Sequence, residues 1–533
     1  MLKRHYLLLA PVVLLVLVPI IAVFSAWTEV DTSLWRHFLQ TRLPELLWNT
    51  ILLMVLVGAG VVLVGVGLAW LICRYDFVGR RWLEWALILP MAVPAYVMAF
   101  VYLGVFDYSG PLQSLLRDAG LEWLTVNDIR NPVTVALVMT SVLYPYVYLL
   151  ARNAFLNQSA SMIEAAQSLG ASPRRVVWTV QLGMARPAIV AGLALALMET
   201  LADFGTVAIF NYDTFTVAIY KAWFDYFDLQ LACQLASLLL TLVFVALLLE
   251  GASRGRKTYA GQGRQPQRKS LTGLPAIAVL VLISSVLLLS FVLPSVQLVI
   301  WALNDVSAQW NSRFYDLVWH TLVLAVGAAI LTASVALGLA LMQRFQTSRW
   351  VSRGIAIAKL GYALPGTVLA VGIVVPLGWF EKSTLGLKQS LSLGPDHWIL
   401  GSVFALLMAY MIRFLTVGFG PLETSFSRIS QSLPEAARSL GASRLRVFRQ
   451  VYLPLVRPGL ALAILLVFVD VMKEMPATLL MRPFGWDTLA VRIYELTSEG
   501  EYQLAALPAL CLLVVGLIPI ALTLQQQRHQ TRV

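Results

Sequence analysis

The strongest constraint on this chain is a polar stretch that occurs twice. Glu164-Ala165-Ala166-Gln167-Ser168-Leu169-Gly170-Ala171-Ser172 returns almost letter for letter as Glu435-Ala436-Ala437-Arg438-Ser439-Leu440-Gly441-Ala442-Ser443. Position 435 minus position 164 gives an offset of 271 residues. The same offset carries Arg186-Pro187 onto Arg457-Pro458, Pro94 onto Pro365, Gly67-Leu68-Ala69 onto Gly338-Leu339-Ala340 and Trp48 onto Trp319. The register therefore holds without a gap from about Trp48 to about Glu199. A polar block set between apolar segments and present twice implies two equivalent docking points on a pseudo-twofold molecule.

Those flanking segments place the chain in a bilayer. Hydrophobic residues make up 59% and charged residues 13%, against roughly 45–50% and ~25% in soluble globular proteins. The net charge of +11 is compatible with a nucleic-acid partner only if the basic residues form a face with aromatic platforms. Here Lys and Arg are scattered between apolar runs, so membrane lipid is the expected partner and nucleic acid is not. Cys73, Cys233 and Cys511 share no metal-ligand spacing and read as packing residues.

Twelve apolar runs follow one another, six per half: 6–27, 47–72, 83–105, 131–151, 188–210 and 229–250, then 273–302, 318–343, 355–379, 398–419, 459–481 and 504–524. Each is near the ~20 residues that cross ~30 Å of hydrocarbon. Lipid offers no partner to a free backbone N–H, so spanning runs of this length are helices. The expectation is an all-α polytopic membrane protein of about twelve helices in two tandem six-helix halves, residues 1–250 and 273–533. A basic linker, 251–272, joins them; Arg254 to Ser270 has no apolar period and reads as a flexible tether. Basic residues collect on one set of connections, including Arg80, Arg81, Arg152, Arg174, Arg175 and Arg349, and acids on the other, including Asp107, Asp118, Asp225 and Asp316. The positive-inside rule assigns the basic connections and both termini to the cytoplasm.

Both copies of the repeated block sit in long basic connections, 152–187 and 420–457. A helix-compatible stretch ends at Leu-Gly, and the following Ser is a helix N-cap for a second amphipathic stretch, Arg174 to Leu182 or Arg444 to Leu453. A short helix-turn-helix lying along the membrane is the local prediction. The motif, Glu-Ala-Ala, then Gly six residues after the Glu, then Leu-Pro, resembles the signature of bacterial ABC-importer permeases of the binding-protein-dependent class. The second copy matches through Glu435, Ala436, Ala437, Gly441, Leu453 and Pro454. The first matches through Glu164, Ala165, Ala166 and Gly170 and departs at Leu182-Gly183, where Leu-Pro is usual.

The resemblance implies a fused permease of the type I ABC-importer fold in the bacterial inner membrane. It implies that each loop seats on one of two ATP-binding subunits on the cytoplasmic side, and that a periplasmic binding protein delivers the cargo. No Gly-x-x-x-x-Gly-Lys-Ser/Thr loop occurs, so ATP and Mg belong to partner subunits and the chain carries no cofactor of its own. Nor is there a Ser/His/Asp arrangement, and the chain is not expected to be an enzyme.

Ionisable residues recur inside the membrane as well. Glu199 maps onto Asp470 and Asp203 onto Glu474, with Lys473 added in the second half. A helix starting near Ala188 puts Glu199 ~17 Å and Asp203 ~22 Å along its axis. Acids four apart share a helix face, and charges at such depth face a water-filled path or a partner. One reading is a lined translocation pathway; the other is structural glue through Lys473. Gly205 and Pro476, just beyond, either end the helix or open its backbone to a cavity. The surrounding text, Asp203-Phe204-Gly205-Thr206-Val207, Lys473-Glu474, Pro476-Ala477-Thr478-Leu479-Leu480 and Arg482-Pro483-Phe484, is similar to ferric-iron permeases. That resemblance implies iron(III) as cargo, and carboxylate oxygens suit a hard trivalent cation. Thiamine, a polyamine, sulfate or a phosphonate carried on the same architecture is the alternative. An ion-gradient-driven secondary transporter would have no reason to repeat the cytoplasmic loop.

Overall fold

The computed structural model describes residues 3–121, 128–254, 267–345, 348–390 and 399–530. The first half supplies α1 (Lys3–Ser25), α2 (Leu43–Arg74), α3 (Arg80–Ala86), α4 (Ala95–Phe106), α5 (Pro132–Leu156), α6 (Ala160–Ser168), α7 (Pro173–Ala202), α8 (Gly205–Ile209) and α9 (Leu229–Arg254). The second supplies α10 (Leu274–Asn304), α11 (Ser312–Phe345), α12 (Arg349–Ala358), α13 (Gly366–Ser390), α14 (Val403–Ser427), α15 (Ser432–Ser439), α16 (Leu445–Lys473), α17 (Pro476–Met481) and α18 (Tyr502–Gln530). Ten helices among the described residues are long and apolar enough to cross a membrane, and a bent pair makes eleven. With the apolar stretch Leu9–Ser25 of α1, these occupy the twelve expected runs. The chain is an all-α multi-pass membrane protein, apart from a two-residue parallel pairing of β1 (Tyr75–Asp76) with β2 (Lys269–Ser270).

Four runs are not the continuous helices the hydropathy implied. The third bends by 92° between Arg80–Ala92 and Ala95–Asp118, and the ninth breaks between Ala363 and Gly366. The cause is proline at matched positions. Pro94 and Pro365 lack an N–H, and each forces its predecessor out of the helical region: Val93 has ψ 124° and Leu364 ψ 116°. The fifth and eleventh runs end early, at Ala202 and Lys473. They also begin early, since α7 starts at Pro173 and α16 at Leu445. The separate second amphipathic helix expected in each loop is therefore the first turns of a membrane-spanning helix. A π-helical segment, Val176–Gln181 or Phe448–Tyr452, joins the two parts.

The tether is also shorter than expected. Helix α9 runs to Arg254, residues 255–266 lie outside the described residues, and the far end is fixed by β2, with the Leu271 N–H donating to the Asp76 carbonyl at 2.9 Å.

Two compact units result, and neither is one consecutive half. One comprises Met1–Asp31, Ala218–Leu240 and Trp310–Arg492; the other comprises Thr32–Val217, Thr241–Gln309 and Ile493–Val533. In the first unit α1 packs on α12 and α13, so closely that an added Cβ on Gly354 would lie 2.8 Å from Leu9 and one on Gly372 2.7 Å from the Pro19 carbonyl. Leu9 and Val12 join Ala336, Leu339, Leu415 and Phe419 in its core. In the second unit α10 takes the corresponding place against α4, with the Trp301 ring stacked on Phe100 and 2.7 Å from where a Cβ on Gly104 would sit. Apolar side chains gain little by leaving lipid for protein, so small residues that let backbones approach carry the association. Helices α2, α5 and α7 meet this way, through Gly65 and Gly192 against the Tyr144–Val147 turn.

Gly192→Leu must therefore part α7 from α5, because even a Cβ would come within 2.7 Å of the Val147 Cα. We expect a loss of about 1–3 kcal/mol, read as a lower melting temperature of the detergent-purified protein. Gly183→Ala in the same helix meets nothing within 4 Å and is expected to be neutral or slightly stabilising.

Candidate functional site: paired loops and capped helix breaks

Each copy of the repeated block folds into the same hydrogen-bonded object. Helix α6 closes at Leu169, and Gly170 adopts φ +84°; α15 closes at Leu440, and Gly441 also has φ +84°. The Gly170 N–H donates to the Gln167 carbonyl at 2.9 Å and the Ala171 N–H to Ala166 at 3.1 Å; Gly441 donates to Arg438 at 2.9 Å and Ala442 to Ala437 at 3.0 Å. This left-handed closure consumes carbonyls that the helix end leaves open, and only glycine adopts it without strain. The following serine caps the next helix. The Ser172 hydroxyl accepts from the Arg175 N–H at 3.4 Å, and Ser443 accepts from Arg446 at 3.3 Å.

The loops are anchored on one side and open on the other. Val176 and Val447 are both buried, Gln158 donates to the Gln181 carbonyl at 2.7 Å, and Tyr452 packs against Phe426 and Phe345. Glu164, Ala165, Glu435 and Ala436 are exposed, and Ala166 and Ala437 half-buried. Leu169 and Leu440 are 88% and 89% exposed, a cost in water that a partner's surface would remove. Leu453 is half-buried and Pro454 exposed at the start of the α-helical part of the span. The Leu182-Gly183 departure changes nothing in the exit, since Leu182 (φ −69°, ψ −36°) and Leu453 (φ −58°, ψ −44°) are both helical.

At the other end of α7 and α16 the acids have a definite task. The helices stop at Ala202 and Lys473, and Asp203 and Glu474 turn extended, with ψ 129° and 118°. The two acids of a half therefore do not share one helix face as expected, because the second lies past the helix end. Its carboxylate caps the next short helix instead. Asp203 accepts from the N–H groups of Thr206 (2.9 Å) and Val207 (3.3 Å) and from the Thr206 hydroxyl (3.0 Å). Glu474 accepts from the N–H groups of Ala477 and Thr478, both at 3.0 Å, and from the Thr478 hydroxyl at 2.8 Å. The donors stand three and four residues on in both halves. Glu199, Asp470 and Lys473 are half-buried within the spans.

The family can now be stated from a comparison as well as from the loops. The model of the family described as "Binding-protein-dependent transport system inner membrane component" matches residues 61–253 and again residues 334–531. The chain belongs to that family. As a permease of this class it resembles the Fe(3+)-transport system permease protein FbpB 2 of Haemophilus influenzae, 28% identical over 515 residues that cover 95% of this chain and 94% of the relative. A probable ABC transporter permease of Sinorhizobium fredii, y4fN, is 24% identical over 95% of this chain and 90% of its own. A probable sulfate transport system permease protein of Marchantia polymorpha, cysT, is 26% identical over 40% of this chain and 75% of its own.

The permease also holds charges that the sequence reading passed over. Arg413, in the middle of α14, lies 3.7 Å from the Glu474 carboxylate; an arginine inside an apolar run was the available signal. Gly366 makes room for this pair, because an added Cβ would come within 2.5 Å of the arginine Nη1 and 2.8 Å of the Glu474 Oε1. Tyr410 and Thr478 are hydroxyl partners at 2.6 Å beside it. Arg80 and Arg152, counted from sequence as loop charges, are instead buried on the equally buried Glu84.

Gly366→Ala should displace Arg413 from Glu474 and lower the melting temperature of the purified permease by the equivalent of about 1–3 kcal/mol. Glu474→Ala is expected to cost more, about 3–5 kcal/mol, since it strips the cap and leaves the arginine uncompensated. Ala95 aligns with Gly366, and the position of Arg413 is Val142 in the first half, so Ala95→Gly is expected to stay within about 1 kcal/mol.

Proposed function

We propose that this permease is the inner-membrane subunit of an ATP-driven importer for iron(III), with its termini and its Glu-Ala-Ala loops in the cytoplasm. The observation that carries the coupling part is the duplicated loop: one closure, one cap and one exposed leucine, twice in a single chain. Each copy seats on a separate ATP-binding subunit, which holds the ATP and Mg. Nucleotide-driven closure displaces the two loops, and the helices continuous with them, α7 and α16, carry that displacement into the membrane. Residues 1–250 and 273–533 act as the two permease halves, joined by 251–272.

Iron(III) is the cargo we favour because the ferric relative matches nearly the whole chain, whereas the sulfate relative matches 40% of it. Sulfate, phosphonate, thiamine or polyamine transport is the alternative. Glu199 and Asp203 in the first half, and Asp470, Lys473 and Glu474 in the second, are the polar path residues that each half contributes. The capped acids hold α8 and α17 in place, and Glu199 and Asp470 present oxygen to the passing ion. A path of this kind must bind weakly enough to release what it carries, so a periplasmic binding protein does the selecting.

Glu164→Ala with Glu435→Ala, or Gly170→Val with Gly441→Val, is expected to cut ATP-dependent uptake of labelled iron by at least about ten-fold at unchanged membrane levels. Basal ATPase activity of the complex should persist without stimulation by the binding protein. Full uptake in these variants would contradict the coupling assignment. Uptake of labelled sulfate or thiamine but not iron would move the cargo to the alternative while leaving the coupling intact.

A further inference from the structure

Cys73, Asp76, Arg80, Arg81, Arg268 and Ser270 line a cavity of about 440 Å³ at the end of α2 and the start of α3. It lies within the second compact unit, at the end of the spans from which α5 leads into the first Glu-Ala-Ala loop. The β1–β2 pairing builds it: Tyr75 aligned with Lys269, and the Leu271 N–H on the Asp76 carbonyl, bring Arg268 from the far end of the linker to the mouth of α3.

Its charge is unbalanced. Arg80 is buried and held by Asp76 at 3.0 Å and Glu84 at 2.8 Å, and Glu84 also pairs with Arg152, whose guanidinium stacks on Trp85. Two acids thus answer two arginines. Arg81 and Arg268 remain on the lining, and among the described residues neither has an acid within ion-pair distance. The surplus is two positive charges, with the Ser270 hydroxyl beside them. Trp82, 64% exposed on the same helix as Arg81, is the residue type that settles at the headgroup level.

Among the described residues the aligned positions of the second half hold no counterpart. The offset of 271 puts Val351, Ser352, Ile355 and Glu423 at the places of Arg80, Arg81, Glu84 and Arg152. A feature of the repeated transport machinery would be present twice. This one is single, and it is assembled from the linker.

We propose that this cavity binds a phosphate group. Tetrahedral oxyanions accept from forked guanidinium donors, and basic pockets between spans at the cytoplasmic side are where anionic headgroups are held. An anionic phospholipid and a soluble phosphate share this chemistry. A bound phosphate would bridge Arg81 to Arg268 and so fasten the linker to the first half.

The test is binding, which is independent of cargo and of ATPase coupling. The detergent-purified full chain is titrated with phosphatidylglycerol and with phosphatidylcholine under native mass spectrometry, and separately with radiolabelled inorganic phosphate. We expect one retained phosphatidylglycerol, at least about ten-fold tighter than phosphatidylcholine, weakening roughly five-fold for each of Arg81→Gln and Arg268→Gln. Arg268→Gln alone suffices if Arg81→Gln fails to fold, since that exposed side chain lies outside the spans. Arg353→Gln, at the aligned end of the other unit, should change nothing. Phosphate that binds and displaces the lipid identifies a soluble source; lipid without phosphate identifies a headgroup site. No preference for phosphatidylglycerol and no phosphate binding, or equal loss in Arg353→Gln, overturns the proposal.

Discussion

A backbone N–H or carbonyl without a partner is the cost that governs this molecule wherever a helix stops or starts. In hydrocarbon no water relieves it, and the chain meets the problem in the same way in both halves. Where α7 and α16 end, a carboxylate from the terminating residue takes the first free N–H groups of the next short helix. The break can then persist inside the membrane. Where α6 and α15 end, outside the spans, the left-handed glycine satisfies the carbonyls, and a serine starts the next helix. Loop, span and intramembrane break are therefore one mechanical element, repeated at a fixed offset.

The halves differ where polarity is buried. The second half places Arg413 against Glu474 and answers with Gly366, whereas the first half has Val142, Asp203 and Ala95 at those positions. The first half buries Glu84 between two arginines, whereas at the aligned positions the second half has Ile355, and Glu423 there pairs with Lys359 instead. Charges in low dielectric need a fixed partner, so each of these differences arrives as a set of compensating residues. Fusion of two halves into one chain lets such sets diverge.

Much of this was legible in the residues. The repeat fixed the two loops, and the Leu-Gly-Ala-Ser text foretold both the turn and the cap, because glycine at φ > 0 and serine at an N-cap are local requirements. The twelve runs were visible because lipid demands length and apolarity. Hydropathy could not place the breaks, since Asp203 and Glu474 end their helices by a hydrogen-bond choice invisible to an average. It was equally blind to the π segments that fuse loop to span. The exchange of α1 and α10 between compact units is a tertiary fact, written in Gly354, Gly372 and Gly104 but readable only once their neighbours are known. Arg80 and Arg152 were misread because positional charge counting treats every arginine near a span end as solvated.

On the proposed function, the two exposed turns are gripped by nucleotide-hydrolysing neighbours in the cytoplasm. Cysteine placed at Leu169 and at Leu440, tested in membranes containing the whole transporter, addresses it most directly. We expect each site to cross-link to an ATP-binding subunit in a nucleotide-sensitive way and to be shielded from reagents added outside. Labelling of either position by a membrane-impermeant thiol reagent from the periplasmic side, with no cross-link to any ATP-binding subunit, would contradict it.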